Sequence, residues 1–295
     1  MTPRPQQLSL DQLTGLSAAI SEGSFEAAAR KLHVTPSAIS QRIKALETTV
    51  GRVVLTRSRP VRPTESGITL LRAARQIEAV AAELAAELTD SSHEAPTITL
   101  AVNADSLSTW FLPALAAVAP PLAFDLRRAD ETRTADLLRD GTAMAAVTAS
   151  AQPVAGCVVR RLGRMRYRPR ASPRFAARWF PDGPTPAALA HAPLIAFDRG
   201  DHIEERYARR KTRRRLHPPR HYVPSSDAFA NAVRLGLGWG MVPELQAPPD
   251  SNDLIDLDPE GAIDVPLFWQ QWRLRSAPLD YVAAAVQRTA QELLH

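Results

Sequence analysis

Cysteine is almost missing from this 295-residue chain: Cys157 stands alone, which excludes an internal disulfide and a cysteine-rich zinc site. Lysine is nearly as scarce. Only Lys31, Lys44 and Lys211 occur among 36 basic residues, so arginine carries the positive charge. No uninterrupted apolar run approaches the ~18 residues that a membrane helix needs. The opening MTPRPQQLSLDQL lacks the basic-then-apolar layout of a secretory signal, so a cytoplasmic protein with no membrane partner is the simplest reading. Signatures of catalysis are missing too. There is no G-x-S-x-G elbow, Walker loop or H-E-x-x-H, and Pro218 and Pro219 break the His217/His221 spacing that a metal would exploit. Gly236, Gly238 and Gly240 lead into the strand-like WGMVP rather than a helix, so they read as turn and close-packing positions. No enzyme, metal or cofactor is expected.

What is there suits a folded chain of two domains: 45% hydrophobic and 23% charged residues. The net charge of +5 points weakly to a polyanionic partner, and its placement says more. Residues 1–76 hold 11 Lys/Arg against five Asp/Glu, whereas 78–90 hold four acids and no base. A basic head therefore precedes an acidic-sided helix.

Within that head, Ser9 caps a predicted helix through about Glu22, with Leu10, Leu13, Leu16 and Ile20 at helical spacing. Gly23 ends it, and a second helix runs from Phe25 to Leu32. Thr35 is a strong N-cap and Pro36 sits at the first position of a third helix, which Gly51 stops. Two short helices joined by a tight turn form the helix-turn-helix pattern. Ile39, Ile43, Leu46 and Val50 give the third helix an apolar core stripe, while Ser37, Ser40, Gln41 and Lys44 form the opposite one. Small residues there let the backbone sink into a major groove; Gln41 suits base edges, Ser37 and Ser40 suit bases or phosphates, and Arg42 and Lys44 suit phosphates. The following VVLTRSRPVRPTESG reads as a wing whose Arg57, Arg59 and Arg62 reach phosphates or the minor groove. The expected DNA contacts are thus Pro36, Ser37, Ser40, Gln41, Arg42, Lys44, Arg57, Arg59 and Arg62.

Thr64 caps a long helix to Leu88. Its stripe of Leu70, Ala74, Ile77, Ala81, Leu84 and Leu88 must be covered by a second copy of the helix or by the following domain. The head (1–63) and this linker (64–90) resemble the LysR-type transcriptional regulators over residues 8–88, on FEAAARKLHVTPSAISQRIKALE, the LTRSRPVRPTESG wing and the long helix. Within that family the chain is similar to the lysine/arginine-export regulators of the LysG or ArgP type, on VNADSLSTWFLPAL (102–115), DETRT (130–134), GLGWGMVPELQ (236–246) and WQQWRL (269–274). The resemblance implies a homodimer or dimer of dimers on double-stranded DNA, with RNA polymerase as a further candidate partner and a basic-amino-acid exporter gene as the activated target. A departure is the very basic ARRKTRRRLHPPRHY (208–222).

From 91 onward, after the polar boundary TDSSHEAP, strand-like ITLAVN, LAFDLR, AMAAVTA, PLIAF, HYVPS and WGMVP alternate with helices, predicting an α/β domain. The resemblance implies two lobes like periplasmic binding proteins: 97–163 with 270–295, and 164–269. A ligand is then expected at strand ends between the lobes. The turn at Asn103, Asp105 and Ser106 opens a helix and suits an α-carboxylate, with Thr148 on the same rim and Ser225, Ser226 and Asp227 facing from lobe two. Asp105, Asp130 and Glu131 suit a cationic side chain, so L-lysine or L-arginine is the expected effector; Asp105 and Asp227 could equally be helix caps. The acid-free arginine series from Arg160 to Arg174 would suit an architectural DNA binder, or a surface balanced by acids elsewhere in the fold.

Overall fold

The computed structural model describes residues 8–56, 58–88, 97–118, 122–129, 131–212, 215–247 and 252–295. The head is built from α1 (Leu10–Ser21), α2 (Phe25–Lys31) and α3 (Pro36–Val50). Their ends follow local chemistry. Ser24 Oγ accepts from Ala27 N, Thr35 Oγ1 accepts from Ala38 N, and Gly51 closes α3 in the left-handed region at φ 71°. Leu13 and Leu16 of α1 pack with Ile39, Ile43 and Leu46 of α3 over Val54 and Leu55. Each such buried aliphatic side chain contributes about 1.5–3 kcal/mol. β1 (Leu55–Thr56) and β2 (Arg62–Pro63) pair as a short antiparallel wing, and α4 (Glu65–Leu88) leaves it.

α4 divides its faces between two neighbours and the outside. Ala74 joins the head's core, and Ser17 Oγ of α1 donates to Glu78. The basic flank grips the second domain: Arg75 Nη1 donates to the Asp140 carbonyl at 3.0 Å and Thr142 Oγ1 at 2.7 Å, and Arg72 donates to the Ala155 carbonyl. Further along, Glu83 Oε1 accepts from Ala277 N at 3.0 Å. Ile77, Val80 and Leu84, in contrast, stay 39%, 43% and 55% exposed on an outward stripe.

The second domain begins with β3 (Thr97–Val102), then α5 (Ala104–Ser106), a π turn at Leu107–Phe111 and α6 (Leu112–Ala116), which continue as one helical run. β4 (Ala123–Arg128), α7 (Glu131–Arg139), β5 (Ala145–Thr148) and β6 (Cys157–Ala171) follow. Next come α8 (Pro173–Trp179), α9 (Pro186–His191), β7 (Leu194–Ala196), α10 (Ile203–Thr212), β8 (Arg220–Tyr222) and α11 (Ser226–Arg234). β9 (Gly240–Pro243), β10 (Ile255–Asp256), β11 (Ile263–Trp272) and α12 (Ala277–Leu293) complete it.

The main sheet runs β10-β6-β11-β5-β3-β4, with β9 also on β6. β3 is parallel to β4 and β5, whereas β11 is antiparallel to β5 and β6. The start of β6 and the end of β11 lie beside β5; the end of β6 carries β9 and β10. These two long strands thus form a ribbon through both lobes. Its register shifts between Leu267 and Phe268, beside Gly163 at φ 151°.

β6 settles what the arginine run is. Met165, Tyr167 and Ala171 point into the core while Arg164, Arg166 and Arg168 alternate outward, the period of a strand. Those arginines are matched by acids from neighbouring elements: Arg166 with Asp264 at 2.8 Å, Arg168 with Glu244 at 3.0 Å, and the buried Arg170 with Asp256 at 2.6 Å. The series is largely a neutralised sheet surface. The glycines before β9 behave as their spacing predicts: Gly236 turns at φ 78°, and a Cβ on Gly240 would strike the Phe229 ring at 2.6 Å.

Candidate DNA interface and effector cleft

On the head, Pro36, Ser37, Gln41 and Lys44 are exposed on one side of α3, with Ser40 half-buried beside them. Ser37 Oγ shares a 2.9 Å hydrogen bond with Thr35 Oγ1. Arg42 is turned away from this set: it pairs with Asp11 of α1 at 3.2 Å, and its stem rests on Gly15. Arg59 and Arg62 are exposed on the wing, and Arg57 lies outside the described residues. A polar helix edge flanked by a basic wing matches the chemistry of a duplex groove and its phosphates.

The second site lies where the strand ends of the two lobes meet. Asp105, on α5, accepts from Tyr167 OH at 2.6 Å and from Ser226 Oγ at 2.5 Å. Gln246 Nε2 donates to Ser226 Oγ at 2.8 Å, and Ser108 Oγ donates to Asp227 at 3.4 Å. Arg128 Nη1 adds a bond to the Pro224 carbonyl at 2.7 Å. Neither aspartate serves as its helix's N-cap. Ser225 caps α11 through Ala228 N, and Asn103 precedes α5 without a side-chain cap. Among the described residues, Asn103 Oδ1 and the fully buried Ser106 Oγ have no hydrogen-bond partner. Thr148, buried at the end of β5, accepts from Ser150 N and lines a separate polar hollow with Thr134 and Gln270. Asp130 lies outside the described residues, and Glu131 opens α7.

Residue spacing in the sequence does not single out Tyr167, Asp201, Glu204 or Gln246. Asp201 Oδ1 accepts from Ile203 N at 3.1 Å and so opens α10. Glu204 Oε1 accepts from Met241 N at 3.0 Å, while its buried Oε2 has no partner among the described residues. Burial pushes the Glu204 carboxyl up to about 8, with the charges of Asp201 and Asp105 adding to it. Burial also raises Asp105 and Asp201, against the hydrogen bonds that lower them. Tyr167 sits inside a strongly basic stretch and Glu204 just before one, where arginine dominates the pattern. Elsewhere, burial pushes the Cys157 thiol up to about 11, leaving it a packing residue. Among the described residues no helix is long and apolar enough to cross a membrane.

Residues 10–68 match the bacterial regulatory helix-turn-helix protein, lysR family, and residues 91–292 match the LysR substrate binding domain. The chain is 44% identical to the HTH-type transcriptional regulator LysG of Mycobacterium tuberculosis over 289 residues, covering 97% of this chain and 95% of that one. Its fold superposes on the crystal structure of ArgP from Mycobacterium tuberculosis with a TM-score of 0.92, at 43% identity over 98% of this chain and 99% of the other. It also matches full-length LysG from Corynebacterium glutamicum with bound effector arginine, at a TM-score of 0.84 and 41% identity over 98% and 100% of the two chains. A winged helix-turn-helix, a linker helix and a two-lobed α/β domain, matched along nearly their whole length, place this chain in the LysR family of bacterial transcriptional regulators.

Proposed function

We propose that this protein is a cytoplasmic regulator that binds promoter DNA and responds to L-arginine or L-lysine, activating a gene for basic-amino-acid export. Support for the ligand class comes from the arginine-bound relative and from the carboxylates of Asp105 and Asp227 at the lobe junction. The single observation that carries the reading is the contact of Asp105 with Ser226, because it joins the two lobes through residues that a ligand there would touch. In this reading Asn103 and Ser106 offer polar groups to the effector's α-carboxylate, while Asp227, Asp130 and Glu131 add negative potential. Thr148 and Ser225 act at the margin, the latter chiefly as a helix cap.

On the DNA side, Ser37, Ser40 and Gln41 read base edges, with Pro36 allowing close approach, while Lys44, Arg57, Arg59 and Arg62 hold phosphates. Two heads are needed for two half-sites. The exposed Ile77, Val80 and Leu84 of α4, spaced by three and four, supply the seam for a second copy, and pairs of dimers extend the footprint. Bound to a promoter, this assembly lies beside RNA polymerase. Effector controls it only by binding one arrangement of the domains more tightly than another.

The test is titration of the full-length protein with L-arginine and L-lysine, followed by calorimetry and by footprinting on the DNA upstream of the neighbouring gene. Heat of binding with an altered, discrete footprint supports the reading. No heat from either amino acid, or a footprint no sharper than on random DNA, overturns it.

A further inference from the structure

A hollow of about 360 Å³ opens in lobe one, apart from the junction where Asp105 meets Ser226. Its walls are α7, the end of β5, the loop that follows β5, and Gln270 of β11. Among the described residues, none between 164 and 269 lines it, so it is not part of the cleft between the lobes. Its size suits a small organic molecule.

The polar groups on these walls are donors. Thr148 Oγ1 accepts from Ser150 N, and Ser150 Oγ accepts from Gln152 N, both at 3.2 Å. Each hydroxyl oxygen thus already receives a backbone N–H, and among the described residues its own hydrogen is not spent. Gln270 is fully occupied in shaping the loop. Its Oε1 accepts from Val154 N at 3.0 Å, and its Nε2 donates to the carbonyls of Ser150 and Gln152 at 3.2 and 2.9 Å. Arg139 is the charged residue on the walls, and no Asp or Glu lines them. Its guanidinium pairs with Asp136 one helical turn back, with both side chains half exposed, an arrangement that holds a guanidinium only loosely. Leu138 and Val154 add apolar surface.

The linker helix closes on the same two walls. Arg75 donates to the Asp140 carbonyl and to Thr142, just past the end of α7. Arg72 donates to the carbonyl of Ala155, which itself lines the hollow. Both walls end in a left-handed glycine that packs on Arg72. A Cβ on Gly141 (φ 79°) would meet Arg72 Cα at 3.0 Å, and one on Gly156 (φ 83°) would meet Arg72 Cζ at 3.3 Å. An occupant that sets the spacing between α7 and the 148–155 loop therefore sets the two points by which α4 is held.

We infer that this hollow binds a small organic acid and reports its presence to the linker helix. The carboxylate takes the Arg139 guanidinium and the hydroxyls of Thr148 and Ser150, and the apolar stem lies on Leu138 and Val154. A basic amino acid is excluded, because its cation would meet Arg139 and no acid. The site is thus a second input, separate from the effector at the lobe junction. It acts on DNA binding only as far as the acid favours one setting of α4 over another.

The experiment uses the full-length protein as wild type, Arg139→Gln and Ala135→Leu, the last of which fills the hollow without altering its charge. The probes are isovalerate, its neutral counterpart isoamyl alcohol, and L-arginine, each titrated with hydrogen exchange as the readout. Isovalerate is expected to slow exchange at 134–139 and 148–155 and to change it at 69–76. Wild type is expected to prefer isovalerate over the alcohol by about tenfold or more, as a charge-assisted bond implies. Arg139→Gln is expected to lose most of that preference and Ala135→Leu to lose the binding. The response of both variants to L-arginine is expected to equal that of wild type. Equal binding of acid and alcohol, no protection by isovalerate, or protection that stops at 155 without reaching α4 overturns the proposal. A response to L-arginine that is lost together with that to isovalerate also overturns it, because one site would then serve both.

Discussion

Ser226 Oγ donates to Asp105 Oδ1 at 2.5 Å although 121 positions separate the two residues in sequence. The bond joins the first turn of α11 in one lobe to α5 in the other, and Tyr167 holds the second oxygen of the same carboxylate. A hydrogen bond to a charged group contributes about 1.5–3 kcal/mol. Removing it with Ser226→Ala shifts the balance between lobe arrangements by roughly tenfold or more at that energy. Hydrogen exchange of the effector-free protein is expected to speed up at 103–109 and 226–232 in the variant. Unchanged exchange there would mean that the contact does not hold the lobes.

Arg75 ties three parts of the chain together, reaching Ser21 of the head, its own helix α4, and Asp140 and Thr142 of the second domain. Burial lowers its pKa, and the neighbouring charges of Asp140 and Glu78 act against that lowering. Arg75→Ala is expected to leave the separate affinities for DNA and for arginine within about threefold while reducing their mutual coupling, a quantity typically worth about 1–3 kcal/mol. The check is the DNA affinity with and without saturating arginine in both proteins. Equal ratios would remove Arg75 from the coupling.

Gln41 and Arg59 are expected to fail in different ways. Gln41→Ala narrows the gap between operator and random DNA by about 1–3 kcal/mol, whereas Arg59→Ala weakens both and lowers the slope of log affinity against log salt by about one. Binding titrations on both DNAs at several salt concentrations separate the two. Equal losses on both sequences for both variants would refute the division of roles.

The pH dependence of stability has a definite sign. Glu204 holds its proton up to about 8 in the folded chain because it is buried, against an ordinary value of 4.5. Between those values the unfolded chain has released the proton and the folded chain retains it. Stability therefore falls as pH rises through this window and levels off above it. Asp264, Glu244 and Asp258, held low by Arg166, Arg168 and Lys211, act oppositely: their stabilisation is present above the usual carboxylate range and is lost in acid. Glu204→Gln should flatten the decline, raising the thermal midpoint at pH 8.5 more than at pH 5.5, by about 2–4 °C for each kcal/mol relieved. A midpoint difference independent of pH would place the burden elsewhere.

The head was legible because its signals are local. Thr35, Pro36 and Gly51 bracket α3 by capping chemistry alone, and the stripe of Ile39, Ile43 and Leu46 names its buried face. Arg42 was harder to place, since its pairing with Asp11 depends on how α1 crosses α3. In the second domain, the alternation of Met165 and Tyr167 with Arg164, Arg166 and Arg168 carries the period of a strand, but the charge of the run masked it. The partners of those arginines lie some 76 to 100 positions away, beyond any local pattern. Glu204 was hidden for the same reason: one of two adjacent acids beside a basic segment, it reads as surface until α10 folds it against β9.

The shift of register beside Gly163 has a mechanical outcome. A Cβ there would meet Leu294 at 2.8 Å, and the backbone of His295 exchanges hydrogen bonds with Arg164 at 2.8 and 3.0 Å. The far end of α12 is fastened to the linker by Ala277 and Glu83. The last helix therefore acts as a rod about 25 Å long, clamped at one end to the pivot of the ribbon and at the other to the stalk that carries the DNA-reading head.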